Sequence, residues 1–304
     1  MSRTRDLGLF LLIAVLFGTS FPAIKAGLEY LPPLLFAAVR YYLSGLVVLV
    51  YAVGFSDRWR PATRNDWVGI IAGGTLFIGA TGLTFVGQQY TTSGVAAILI
   101  SLIPILTAVF AWWLLPAERL TARGAVGVLI GFVGVAVVVS PDPGDLLAAE
   151  FVGRTLIAFA AISIALGTVL VRRSHPPMSV VALTGWSMLL GATIQLAFAM
   201  AVGESAAAIR PTPTALALVA YLAVFSSGIG FVVYFHLLER FDALEVNLVT
   251  YLNPVVAVAT GWLVLGEPLL PAAILGFGVI VLGFLVLTES EIAAELAVYR
   301  GAGR

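Results

Sequence analysis

Long apolar runs dominate this sequence and leave little room for a water-soluble fold. Stretches of about 20 residues, almost free of charge, alternate with short polar segments. Hydrophobic residues make up 61% of the chain and charged residues 11%, against roughly 45–50% and about 25% in soluble domains. Helices need apolar runs of this length to cross a bilayer. The sequence therefore predicts an all-α polytopic membrane protein.

We predict ten transmembrane helices. The spans are 7–27, 33–53, 66–86, 94–114, 121–139, 152–171, 178–201, 214–236, 244–265 and 270–287. The first run follows Arg3 and Arg5, as a signal peptide would, but it is too long for the apolar region of one. We therefore expect it to be a permanent span.

Basic residues flank the predicted spans unevenly. Twelve lie on the side that holds both termini, whereas the other side has Arg154 and Arg210 alone. Lys25 and Arg40 lie inside spans. Cytoplasmic loops carry an excess of Lys and Arg, so we expect a multi-pass cell-membrane protein with both termini in the cytoplasm.

The second half of the chain repeats the pattern of the first. Matched positions, 149 or 150 residues apart, are Pro104 and Pro254, Trp112 and Trp262, Glu118 and Glu267, Gly127 and Gly276, and Gly134 and Gly283. Chance similarity between apolar segments is the alternative. Five spans is an odd number, so the second repeat would insert upside down, as in many transporters. We predict two inverted five-helix repeats, 7–139 and 152–287, followed by a cytoplasmic tail, 288–304.

Three stretches resemble one known family. They are FGTSFPAIKAGLEYLPPLLFAAVRYYLSG, TTSGVAAILISLIPILTAVFAWWLLPAERLTARGAVGVLIGFVGV and FDALEVNLVTYLNPVVAVATGWLVLGEPLLPAAILGFGVIVLGF. They are similar to helices of the EamA family in the drug/metabolite transporter superfamily. The resemblance implies ten helices, transport of small metabolites and no enzymatic activity. One departure is Leu115-Pro116-Ala117-Glu118, where the family usually has Gly directly before Glu.

Two polar residues inside spans are candidates for solute binding. Arg40 lies about 10 Å into the second span and could attract a carboxylate or phosphate; alternatively it extends to the interface or binds helix-end carbonyls. Asn253 lies near the middle of the ninth span and offers both hydrogen-bond donors and acceptors.

Pro104 and Pro254 are candidates for gating. Each lies in mid-span and removes the amide that would bind the carbonyl four residues back. The freed carbonyl could bind solute or let the helix flex. A static kink that shapes packing is the alternative.

Aromatic and amide residues form a third group of candidates. Gln88 and Tyr90 end the third span and could form a polar mouth, although an interfacial belt would also explain Tyr90. Trp186 could stack on a solute, although such tryptophans are more often packing residues or interface anchors.

No Asp or Glu lies in the middle of a predicted span. This disfavours a carboxylate proton relay and an intramembrane enzyme with paired acids. The sequence also lacks the large soluble domain of a receptor and the charged rings of a channel. We expect a transporter that exports amino acids, amines or related solutes by alternating access. Its partners would be its solute and the bilayer, with no nucleic acid, cofactor or metal.

Overall fold

The computed structural model describes residues 3–116, 119–140, 147–238, 240–241 and 251–302. Within these ranges the chain consists of helices and loops, without a strand. The all-α prediction is therefore confirmed for the described chain.

Nine helices of the described residues are long and apolar enough to cross a bilayer, and a shorter apolar helix accompanies them. We number these helices in chain order as α1 Asp6–Gly27, α2 Pro33–Phe55, α3 Arg64–Gln88, α4 Ser93–Leu114, α5 Ala122–Val139, α6 Ala149–Ser174, α7 Val180–Ala201, α8 Pro213–Tyr234, α9 Leu252–Leu265 and α10 Pro271–Thr288. The last helix continues to Ala302. The predicted ninth span begins at 244, outside the described residues, so ten spans remain a prediction.

Carboxylates join helices at both ends of the bundle. At the end formed by the α2–α3 and α6–α7 loops, which we call the basic end, Asp66 accepts hydrogen bonds from the amides of Thr63 (2.8 Å) and Met178 (3.0 Å). At the other end, the distal end, Glu267 accepts from the Ser93 amide at 2.9 Å. Amides at a helix start have no partner within the helix, so each carboxylate satisfies one and links two segments.

Glycines let α5 and α10 pack with their backbones in contact. A Cβ added at Gly127 would lie 2.5 Å from the carbonyl oxygen of Gly283. A Cβ at Gly134 would lie 2.7 Å from the carbonyl oxygen of Gly276. Side chains cannot be accommodated at such distances, so these positions require glycine.

Prolines interrupt two of the membrane helices. In α4, one helical segment ends at Ile100 and the next begins at Ile103, with Pro104 in its first turn. In α1, the break lies at Thr19, between Gly18 and Ser20; Pro22 lacks the amide that would bind the Gly18 carbonyl.

Wider, π-helical turns occur in α3 and α8, at Gly73–Gly79 and Tyr221–Ile229. The two π segments begin at similar distances from the starts of their helices: Gly73 lies ten residues after the capping Thr63, and Tyr221 lies nine residues after the capping Thr212. Single π turns within α-helices are frequent at functional sites.

Candidate functional site

Arg40 is buried among helices, with 7% of its surface exposed. Its Nε and Nη2 atoms donate to Ser227 Oγ at 3.3 and 3.2 Å. Its guanidinium carbon lies 4.9 Å from the centre of the Tyr41 ring and 5.8 Å from that of Phe85. No described carboxylate lies within 4 Å of the guanidinium. The positive charge is therefore held by a neutral hydroxyl and two aromatic rings.

The π segment of α8 supplies the Ser227 hydroxyl and a second contact. Tyr221, at the start of this segment, hydrogen-bonds through its hydroxyl to Thr19 Oγ1 at 2.5 Å. Thr19 is the residue at which α1 is interrupted. The π segment of α8 is thus joined by polar contacts to α1 and α2, at the irregular point of α1.

Gln88 is completely buried, and neither polar atom of its side chain has a hydrogen-bond partner among the described residues. Thr84 Oγ1, one turn earlier in α3, is also buried and unpaired. Residues four apart lie on the same helix face, and Phe85 between them faces Arg40. A buried polar group without a partner costs about 1–3 kcal/mol. This face of α3 therefore has hydrogen-bonding capacity that a solute or water could satisfy.

Lys25 anchors α1 to the end of α3. Its Nζ donates to the carbonyl oxygens of Gln88 at 2.6 Å and Gln89 at 3.4 Å. Glu267 and Glu29 are the carboxylates whose charges attract it. Lys25 therefore differs from Arg40 in having acidic groups nearby.

Asn253 occupies the first turn of α9, where its Oδ1 is buried and unpaired within the described structure. Its backbone carbonyl packs against Gly18 of α1, where an added Cβ would lie 2.9 Å away. Tyr251, two residues earlier, also has a buried and unpaired hydroxyl. Pro254 is buried in the same turn, whereas Thr250, the residue whose carbonyl it would free, lies outside the described residues.

The other predicted residues lie in less polar surroundings. Tyr90 is 46% exposed and packs against Gly153 of α6. Trp186 donates its indole N–H to the Trp59 carbonyl at 3.0 Å, so its polar atom holds the α2–α3 loop. Pro104 lies at the α4 interruption. The structure thus places Arg40 against the Phe85 ring, less than one turn of α3 before Gln88, and it does not bring Trp186 or Tyr90 into hydrogen-bonding contact with either residue in the described chain.

Sequence reasoning missed Ser227 and Tyr221. The pair Ser226-Ser227 is a polar interruption in an apolar run, and polar residues at membrane depth usually face protein or a cavity. That signal could have suggested Ser227. Nothing local identified Arg40 as its partner, because the two residues are 187 positions apart.

The EamA-like transporter family model matches residues 6–140 and 151–289. This chain belongs to the EamA-like transporter family. It is therefore a multi-pass membrane transporter, as the resemblance predicted.

Full-length relatives agree with the EamA assignment. The chain is 29% identical to "uncharacterized transporter YvbV" of Bacillus subtilis, over 98% of this chain and 96% of that protein. It is 28% identical to "uncharacterized inner membrane transporter YedA" of Escherichia coli K12, over 92% and 90% of the two chains. One crystal structure matches with a TM-score of 0.67 and 20% identity, over 97% of this chain and 99% of that chain, which shows a shared fold.

Proposed function

We propose that this transporter carries small metabolites of the amino-acid type and binds their carboxylate at Arg40. The supporting observation is that Arg40 is buried with a neutral hydroxyl, and no described carboxylate, as its polar partner. A buried charge costs several kcal/mol unless it is paired. A solute carboxylate would pair with it, and the planar guanidinium suits two parallel hydrogen bonds. Amines without a carboxylate would lack this gain.

Two inverted repeats, as the sequence predicts, would explain how the two π segments are held. The segment in α8 binds α1 through Tyr221 and α2 through Ser227. The segment in α3 accepts from Ser163 of α6 at the Leu76 carbonyl, 2.9 Å away, and from Gln195 of α7 at the Ile78 carbonyl, 2.8 Å away. Exchange of the two halves pairs α8 with α3, α1 with α6 and α2 with α7. The two sets of contacts are then equivalent.

The glycine contacts between α5 and α10 support the same symmetry. The sequence repeat pairs Gly127 with Gly276 and Gly134 with Gly283. Under that exchange, the observed contact of Gly127 with Gly283 becomes the contact of Gly276 with Gly134, which is also observed. A two-fold axis produces this kind of interface, because it maps each contact onto a second contact between the two equivalent residues.

This symmetry would allow alternating access, in which one repeat rocks against the other around a fixed site. Export across the cytoplasmic membrane, with both termini inside, is the direction that we propose. Gln88 and Asn253 would then hydrogen-bond other polar groups of the solute, since each has a buried polar atom without a partner among the described residues.

Flux into proteoliposomes tests the proposed function. The probes are labelled amino acids and the amines produced by removing their carboxylates. We expect flux of the acids to exceed that of the matched amines. Arg40→Gln should lower acid flux more than tenfold, and Arg40→Lys should restore part of it, because lysine lacks the planar fork.

Arg60→Gln is the matched control. Arg60 stacks on Trp59 in a loop, so this variant should transport normally. Equal flux of acid and amine through the native protein would overturn the role of Arg40. Absence of any solute flux through protein that still unfolds cooperatively would contradict the proposed transport of these metabolites. Vesicles with protein inserted in one orientation give the direction.

A further inference from the structure

A groove of about 510 Å³ opens between α3 and α6 near the basic end. Five residues of α3 form one wall: Val68, Ile71, Ala72, Thr75 and Leu76. They recur every three or four positions, so they lie along one helix face. This wall is apolar apart from Thr75, whose hydroxyl donates within its own helix to Ile71.

The other wall comes from the last turn of α6 and changes from apolar to polar along its length. It consists of Leu170, Arg173 and Ser174. Arg173 is exposed and has neither a hydrogen bond nor an ion pair with any described residue. Ser174 donates its hydroxyl proton to Val171 at 2.8 Å, so its oxygen is free to accept.

The dimensions of the groove correspond to one leaflet of a bilayer. From Val68 to Leu76 the α3 wall rises about 12 Å at 1.5 Å per residue. Half of the hydrocarbon core is about 15 Å thick. Arg173 and Ser174 lie at the end of α6, where lipid headgroups would meet the protein. Val68 and Ile71 are 44% and 53% exposed and would face acyl chains.

We propose that this groove is a binding site for an anionic phospholipid. The Arg173 guanidinium binds the phosphate, for which its fork of donors is suited. The Ser174 oxygen accepts from a headgroup hydroxyl, and the acyl chain lies along the α3 wall. Phosphatidylglycerol, which combines a charged phosphate with hydroxyl donors, matches these groups. A free phosphate would leave the apolar walls unoccupied.

A lipid in this groove would also contact the π segment of α3. Leu76 lines the groove and belongs to that segment, and its carbonyl accepts the hydrogen bond from Ser163 of α6. A lipid held by both walls would therefore stabilise the packing of α3 against α6.

Thermal unfolding of the purified full chain in detergent tests the site. The additions are dioleoyl phosphatidylglycerol, dioleoyl phosphatidylcholine and sodium phosphate. We expect phosphatidylglycerol to raise the melting temperature more than phosphatidylcholine, and phosphate alone to have no effect. Arg173→Ala should weaken the apparent affinity for phosphatidylglycerol roughly fivefold, the contribution of one basic residue near an anionic lipid surface.

Two matched pairs of variants separate binding in this groove from the effects of losing any surface charge or adding any bulky side chain. Arg119→Ala removes another exposed basic residue, in the α4–α5 loop, and should keep the lipid preference. Thr75→Phe fills the groove and should abolish the stabilisation by either lipid. Thr184→Phe is its control and should keep the stabilisation by lipid. Like Thr75, Thr184 is partly buried and its hydroxyl bonds within its own helix, but it lies outside the groove.

Equal stabilisation of the native protein by the two lipids would overturn the proposal. An unchanged preference in Arg173→Ala, or in Thr75→Phe, would overturn it as well. Stabilisation by sodium phosphate equal to that by phosphatidylglycerol would show an anion site without a lipid and would also reject it.

Discussion

The Arg40–Ser227 pair sets a charged group against a neutral one inside the bundle. A serine hydroxyl accepts the hydrogen bonds without neutralising the charge. Contact with aromatic rings contributes about 0.5–2 kcal/mol, less than the cost of burying an unpaired charge. An anionic group placed beside the Arg40 guanidinium would therefore stabilise this charge.

If the solute carboxylate takes the place of Ser227 as the acceptor for Arg40, then Ser227→Ala should change both the stability and the response to solute. Loss of the hydroxyl leaves the Arg40 donors without their acceptor. The free energy of unfolding of the protein without solute should therefore fall by about 1–3 kcal/mol, and its melting temperature should fall with it. A carboxylate solute would replace the lost acceptor, so its stabilising shift should be larger than in the native protein. Thermal unfolding with and without solute measures both quantities. A smaller shift would mean that Ser227 binds the solute itself.

At the scale of helices, the interrupted helices are the elements that we propose to move during transport. Pro104 lies in the first turn of the second segment of α4, where a missing amide costs little. Replacement by alanine would therefore gain less than the roughly 3 kcal/mol expected in a helix interior. It would, however, supply the amide needed to join the two segments into one rod.

We expect Pro254→Ala and Pro104→Ala to slow solute flux without lowering the melting temperature. Each would favour one facing state, and the two would favour opposite states if the repeats are inverted. Accessibility of engineered cysteines on the two faces measures the bias, since the native chain has no cysteine. Normal flux in both variants would make the prolines static kinks. A shared bias would contradict the symmetry.

The close contact of α5 with α10 gives a second prediction at the scale of helices. Gly134→Ala would place a Cβ 2.8 Å from the Ile280 amide nitrogen and 2.7 Å from the Gly276 oxygen, both backbone atoms. We expect a loss of about 1–3 kcal/mol in unfolding free energy from overpacking. Gly278→Ala in α10 is the control, since nothing lies within 4 Å of its added Cβ. It should be neutral or stabilising, because alanine favours helix. Equal effects would refute the close packing.

At the scale of the whole molecule, the proposed two-fold relation requires a definite topology. Reporter fusions at Asp142 and after Arg304 should lie on opposite sides of the membrane, with Asp142 outside. Both positions lie outside the described residues, so the fusions test the topology independently of the helix contacts. Reporters on the same side would invalidate both the ten-span topology and the inverted repeat.

Most of the architecture could be predicted because hydropathy is a local property of the chain. The lengths of α2, α5 and α7, the interruption at Pro104 and the depth of Arg40 follow from residues close together in sequence. The surroundings of Gln88 could not be predicted in the same way. It was expected at a polar mouth, yet the structure buries it completely. Burial at a helix end depends on which neighbouring helix covers it.

The sequence by itself determined that this chain crosses a membrane and that it resembles EamA transporters, and it predicted that the two halves are related. Only the tertiary structure decided that Ser227 faces Arg40 and that α3 and α6 leave a groove beside Arg173. The physical reason is that apolar helices are interchangeable in lipid as far as hydrophobicity is concerned. Their arrangement depends on close packing and on polar contacts between distant residues, which only the folded chain brings together.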